Sequence, residues 1–303
     1  MPERVRITDV SPRDGLQNEP LHHGAPIATD RKAELVRTVA ATRIDEIEVT
    51  SFVSPKWVPQ LGDAADLCDM LAGDGFAGVQ LSALVPNERG MRALLAANER
   101  AGRPLLSKAS VFTAASETFS QKNTNASIAE TLERFEPVVA IAKDTGIGVR
   151  GYVSCIVECP FEGPIEPAAV ASVSERLLAL GVDEVDLGDT IGRANPETMA
   201  AVLDAVREAV ATEKTVVHLH DTFGGAAACV VVALQHGIRS FDGSAGALGG
   251  CPYASQEGRR APGNIALRML VDTVHTAGFE TGVDLTKLEA ADRLATGMIG
   301  GEP

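Results

Sequence analysis

PAAVASVSERLLALG (167–181) runs almost directly into EVDLGDT (184–190). In the first stretch the apolar residues recur three and four positions apart, which gathers them on one face of a helix. Gly181 follows the last of them, where a left-handed residue closes a helix. The second stretch is short, rich in strand-forming residues and ends in a polar turn. Outward in both directions the same alternation repeats. Further strand patterns are VRITDV (5–10), EIEVT (46–50), VQLSALV (79–85), LLSKASVF (105–112), GVRGYVSCI (148–156), TVVHLHDT (215–222) and RSFDGSAG (239–246). Helical patterns over 30–43, 127–146 and 196–210 lie between them. Ser127 and Asn195-Pro196-Glu197 read as helix starts, Gly146 and Gly237 as stops. Eight strands with intervening helices and no long linker predict a single (β/α)8 TIM barrel, one catalytic domain over 1–303, with an additional C-terminal helix at 284–298. A doubly wound open sheet is the structural alternative, but no G-x-G-x-x-G follows the first strand.

The chain has 303 residues, 45% of them apolar, and a formal net charge of −14. That length buries a full core. Such an acidic chain is unsuited to nucleic acid, whose phosphates demand clustered Lys and Arg. An anionic small ligand would need a local basic patch or a metal ion. The five cysteines, Cys68, Cys155, Cys159, Cys229 and Cys251, are scattered. Cys155-Ile-Val-Glu-Cys159 lacks the paired zinc knuckle and reads as packing. The opening MPERVRITDV lacks the apolar core of a signal peptide, and no apolar run reaches membrane length. These features predict a cytoplasmic protein with reduced thiols and no membrane association.

In a barrel of this kind the chemistry sits at the C-terminal ends of the strands. Strand one runs into Ser11-Pro12-Arg13-Asp14-Gly15-Leu16-Gln17-Asn18-Glu19. Strand two ends in Glu48-Val49-Thr50-Ser51; an inward Glu48 would need a partner, because an unpaired buried charge is costly. Strand six ends in Asp186-Leu187-Gly188-Asp189-Thr190, where Asp189 lies nearer the exit. The sharpest signal is Val216-Val217-His218-Leu219-His220-Asp221. His residues at i and i+2 project to the same side of a strand, with Val217 and Leu219 toward the helices. Two inward imidazoles are good ligands for a divalent ion. Asp14 and Asn264 are hard donors at other strand exits. Two His, one Asp and one amide suit Mg2+ or Mn2+ better than structural zinc.

Taken together, VSPRDGLQNEP, IEVTSFVSPKWVPQLGDA, AASETFSQKNTN, RGYVSC, DLGDTIG, HLHDTFG and LGGCPYA closely resemble hydroxymethylglutaryl-CoA lyases, a family of metal-dependent lyase and aldolase barrels, over about residues 5–294. The resemblance implies retro-Claisen cleavage of 3-hydroxy-3-methylglutaryl-CoA to acetyl-CoA and acetoacetate, with the ion easing loss of the C3 hydroxyl proton. Arg13 matches the catalytic arginine that holds the thioester oxygen, and Cys251 the acid that protonates the enolate carbon. Asp14, His218, His220 and Asn264 match the metal ligands. Glu48 matches a residue that orients them, and Asp189 one that shares the proton transfers. Gln17, Ser51, Ser154 and Thr190 match further pocket positions. A homodimer is also implied.

Two departures bear on specificity. Ser11 stands where the family typically has Gly before Pro-Arg-Asp. Within GGCPYASQEGRRAPGN (249–264), Ser255–Pro262 replaces a shorter Gly-Ala-Ser run. A related 3-hydroxy-3-carboxymethyl acyl-CoA with another C3 substituent is therefore a further expected substrate. A Gly-flanked thiol at Cys251 reads as part of a lid over the site. Lys56, Lys108, Lys122, Arg259 and Arg260 are candidates for a basic rim toward CoA phosphates. The alternatives are a Claisen-type synthase or aldolase on the same barrel, and a non-catalytic metal-binding barrel.

Overall fold

Eight parallel strands close on themselves in the computed structural model, which describes residues 2–21, 24–250 and 263–299. They are β1 (Arg6–Asp9), β2 (Glu46–Ser51), β3 (Gln80–Leu84), β4 (Lys108–Ala114), β5 (Gly148–Ser154), β8 (Glu184–Asp189), β9 (Thr215–Leu219) and β10 (Ser240–Gly243). Each pairs with the next in that order, and β10 returns to β1 through Ile7 opposite Phe241. A small antiparallel hairpin, β6 (Glu158–Cys159) with β7 (Gly163–Pro164), stands outside the barrel; two residues per strand leave no periodicity to read from sequence. The helices are α1 (Thr29–Ala40), α2 (Ala64–Leu71), α3 (Glu88–Ala101), α4 (Glu117–Thr124), α5 (Ile128–Thr145), α6 (Pro167–Leu180), α7 (Pro196–Val206), α8 (Ala226–Gln235), α9 (Leu267–Thr276) and α10 (Leu285–Ile299). The expected (β/α)8 TIM barrel and its C-terminal helix are both present.

Local chemistry sets the boundaries. Ser127 accepts from the Glu130 amide while Glu130 accepts from the Ser127 amide, a reciprocal cap that starts α5. Asn195 caps α7 ahead of Pro196. Gly146 and Gly181 end α5 and α6 in the left-handed conformation. Strand β9 stops at Leu219, short of the expected 222, because His220 leaves the ladder to bridge Asn264. Helix α7 likewise stops at Val206, short of the expected 210.

The two faces of the barrel wall differ in kind. Ile47, Val49, Val185, Leu187, Val217, Leu219 and Phe241 are buried in the main apolar core. The residues between them on the same strands carry charge, and they meet across the barrel rather than in solvent. Arg150 on β5 donates to Glu184 Oε1 (2.7 Å), Asp242 Oδ1 (3.1 Å), Glu46 Oε2 (3.3 Å) and Thr8 Oγ1 (3.3 Å). Lys108 Nζ donates to Glu46 and Glu184, both at 2.6 Å. The interior is thus an ion network where such barrels are usually filled by Val, Ile and Leu. Lys108, expected on a basic rim, is corrected by this finding: it is buried, and it starts β4 at the end of the barrel opposite the strand exits.

Helix α10 buries Leu288, Ala291, Ala295 and Met298 and packs on α1. Among the described residues no helix is long and apolar enough to cross a membrane.

Candidate active site

Past β1 the chain makes one wide turn over Ser11–Gly15, in which the Gly15 N–H donates to the Val10 carbonyl five residues back (3.0 Å). Such turns recur at functional sites because they aim side chains that a regular helix would not. Here the turn buries Arg13 and points it at β2. Arg13 Nε donates to Glu48 Oε2, and its NH1 donates to Asp14 Oδ1 at 2.6 Å. The guanidinium also lies 5.4 Å from the ring centroid of Tyr152. Glu48 faces inward, as its partner requires, and accepts from the Tyr152 hydroxyl at 3.4 Å. Burial alone would lower the Arg13 pKa, but Glu48 and Asp14 hold it well above its ordinary value. It stays charged in the protein.

Asp14 is the junction of the site. Its Oδ1 accepts from Gln17 Nε2 at 3.0 Å, and its Oδ2 accepts from Asn264 Nδ2 at 2.8 Å. His220 Nε2 lies 3.8 Å from the same Oδ2. Burial would raise the Asp14 carboxyl, yet Arg13 and the two imidazoles hold it far below the usual range. His218 and His220 face the same side, their ring centroids 5.3 Å apart. One ligand atom each from Asp14, His218 and His220 lies within 4.8 Å of the others. The Nδ1 of His220 is buried without a hydrogen-bond partner among the described residues. A carboxylate, two imidazoles and an adjacent amide at Asn264 form a donor set that fits a divalent cation.

Asn264 is brought there by close packing of two chain segments. A Cβ on Gly263 would fall 2.3 Å from the Gly249 carbonyl oxygen, and one on Gly249 would fall 2.5 Å from Asn264 Nδ2. Asn264 also donates to the Leu248 carbonyl at 3.0 Å. Only glycines allow this approach.

A second group, Asp186, His218 and Asp242, also has ligand atoms within 4.8 Å of one another. Arg150 already supplies the positive charge there, with NH1 3.4 Å from Asp186 and 3.1 Å from Asp242. Burial, then the neighbouring Asp242, pushes the Asp186 carboxyl well above the usual range.

The remaining expected positions fall as follows. Asp189 is buried, and its oxygens accept from the backbone amides of Arg193 (3.1 Å) and Ala194 (2.7 Å). Burial raises its carboxyl against those hydrogen bonds. Thr190 Oγ1 accepts from the Cys155 amide at 2.8 Å. Ser154 ends β5, half-buried, and the buried Ser51 hydroxyl has no partner among the described residues. Cys155 and Cys159 pack in a small apolar cluster, as read from sequence. Cys251, Arg259 and Arg260 lie outside the described residues. Tyr152, Arg150 and Asp242 were missed. Each sits one position from an apolar strand residue that faces the helices, and that alternation was the available signal.

The family model described as HMGL-like matches residues 4–295. The hydroxymethylglutaryl-CoA lyase of Gallus gallus, described as mitochondrial, is 44% identical over 95% of this chain and 91% of its own length. The crystal structure of the HMG-CoA lyase from Brucella melitensis superposes with a TM-score of 0.89 at 44% identity, covering 98% of this chain and 99% of that one. An HMG-CoA lyase from Acinetobacter baumannii, solved with coenzyme A and 3-methylmalate, superposes with a TM-score of 0.86 at 31% identity, over 98% of this chain and 92% of its own.

Proposed function

This chain belongs to the HMGL-like family, and on that premise we propose that it cleaves 3-hydroxy-3-methylglutaryl-CoA to acetyl-CoA and acetoacetate. The observation that carries the proposal is the meeting of two half-sites on one turn. Arg13, held by Glu48, adjoins Asp14, which shares a face with His218, His220 and Asn264. A lone metal site would not need the arginine, and a lone anion site would not need the imidazoles. The Acinetobacter relative, whose printed complex contains coenzyme A, supports an acyl-CoA substrate.

Asp14, His218, His220 and Asn264 would hold a divalent cation, Mg2+ or Mn2+, which when bound makes an adjacent hydroxyl more acidic. Arg13 donates to the thioester oxygen and stabilises the charge that builds there as the C2–C3 bond breaks. The electron pair of that bond passes into the thioester enolate, and the former C3–OH carbon becomes the ketone of acetoacetate. Asp189 takes part in moving the hydroxyl proton; its raised carboxyl suits a proton acceptor, and the Arg193 and Ala194 amides fix its position. Cys251 returns a proton to C2 and completes acetyl-CoA. Glu48 positions Arg13, and Gln17 positions Asp14. Ser51, Ser154 and Thr190 border the acyl group, and the positive charges of Arg259 and Arg260 would favour CoA phosphates. The chain acts as one catalytic domain in a homodimer in the cytoplasm.

A panel of 3-hydroxy-3-carboxymethyl acyl-CoAs with hydrogen, methyl or a longer group at C3 tests the reading. The methyl compound should give the highest kcat/KM for acetyl-CoA release. A higher value for a longer group would assign another substrate to the same chemistry.

A further inference from the structure

Asp242 has no part in the reaction outlined above, yet it is buried and one of its contacts is His218, a proposed metal ligand. It lies on β10 directly opposite His218 of β9 in the strand register. Parallel strands in register place such side chains as nearest neighbours. Its Oδ2 lies 3.3 Å from His218 Nδ1. The carboxylate is itself fixed by two residues of β5. Arg150 NH1 donates to Oδ1 at 3.1 Å, and the Tyr152 hydroxyl donates to Oδ2 at 3.2 Å. We propose that Asp242 is a positioning residue for the metal site, which receives the Nδ1–H of His218 and so fixes the tautomer that leaves Nε2 bare for the cation.

The argument is one of hydrogen-bond inventory. A neutral imidazole has one donor and one acceptor nitrogen, and a carboxylate is an acceptor only. With Asp242 against Nδ1, the proton belongs on Nδ1. The ring orientation and the ligand lone pair are then set together, and the carboxylate increases the basicity of Nε2. Arg150 supplies the counter-charge that keeps Asp242 in that role in a dry interior. His220 has no such partner among the described residues, since its Nδ1 is without a hydrogen bond there. His218 is therefore the pre-oriented ligand of the two.

The inference rests on the proposed metal site, and the test separates the two. Metal-free protein is titrated with Mn2+, and the bound ion is counted by electron paramagnetic resonance. If the unaltered protein binds no Mn2+, the metal reading itself fails. If it binds, Asp242→Ala should raise the Kd by roughly 10–100-fold. Asp242→Asn should raise it similarly, because its amide N–H placed at Nδ1 selects the wrong tautomer. Glu184→Gln is the control. Glu184 touches the same Arg150 at 2.7 Å, two residues before Asp186 on β8, so any effect of simply loosening the ion network appears there too. Its Kd should stay within about twofold, since the hydrogen bond to His218 is untouched. An Asp242→Ala protein with the unaltered Kd, or a Glu184→Gln protein with an equal loss, overturns the proposal. A second measurement needs no Asp242 variant. Nitrogen-15 shifts of labelled histidines in metal-free protein, with His218 assigned by loss of its signals in His218→Gln, should show the proton on Nδ1; a proton on Nε2 overturns the proposal.

Discussion

Arg13 and Glu48 form a buried ion pair between the turn after β1 and the second strand, with Arg13 Nε donating to Glu48 Oε2. The pair explains why a carboxylate survives inside the barrel and why the arginine points where charge would develop in the reaction. Removing one member leaves the other buried and uncompensated. Glu48→Ala should cost about 3–5 kcal/mol of stability, with kcat falling because Arg13 is no longer aimed. Glu48→Gln retains an acceptor and should cost less on both counts. Denaturant unfolding and steady-state kinetics on the two variants check this; equal stability for all three proteins would contradict it.

His220→Ala should weaken metal binding rather than remove the fold. Its Nε2 lies 3.8 Å from Asp14 Oδ2, and no strand hydrogen bond depends on its ring. Activity should then rise with added Mg2+ or Mn2+ over a range in which the unaltered protein is already saturated. Identical metal titration curves for the two proteins would remove His220 from the ligand set.

Gly263→Ala should disturb the site through backbone packing. The added methyl meets the Gly249 carbonyl oxygen at 2.3 Å, beside the residue that carries the Asn264 amide to Asp14. A backbone clash of this kind should cost about 1–3 kcal/mol and lower metal affinity together. Gly73→Ala is the matched control, since a Cβ there meets nothing within 4 Å. Thermal unfolding and Mn2+ titration of both variants separate the two cases.

Glu184 makes the ion network sensitive to acid. Burial would raise its carboxyl, but Arg150 and Lys108 lower its pKa from 4.5 to about 2. A depressed carboxyl stabilises the fold fully above its unfolded value and loses that contribution as pH falls through its folded value. Such a shift corresponds to roughly 3 kcal/mol. Unfolding of the unaltered protein and of Glu184→Gln, followed from pH 7 to pH 2, should show a stability gap that is constant above about pH 5 and closes below it. A gap that widens on acidification would reverse the assignment.

How much of this was legible before the structure follows from what a one-dimensional pattern carries. The barrel was readable because helices keep a 3.6-residue period and strands are punctuated by turns. His218 and His220 were readable because their i, i+2 spacing fixes a common face. The ion network was not. Glu46-Ile47-Glu48, Glu184-Val185-Asp186 and Ser240-Phe241-Asp242 alternate polar and apolar, the same pattern as a strand with one face in water. Only closure of the sheet turns that face inward and brings Arg150 to Asp242. Lys108 was misplaced for this reason, its charge read as surface when it neutralises Glu46 and Glu184. The turn at Ser11–Gly15 was equally hidden, since a bond five residues back has no composition signature.

The central claim is metal-dependent carbon–carbon cleavage by this site. Metal-free protein is mixed with 3-hydroxy-3-methylglutaryl-CoA, Mg2+ or Mn2+ is added, and both products are quantified by mass spectrometry. Acetyl-CoA and acetoacetate should appear in equal amounts only after the ion is added, and their rate of formation should fall on the order of 100-fold or more in Arg13→Met. Absence of acetyl-CoA with either ion, or its equal release by the Arg13 variant, would contradict the account.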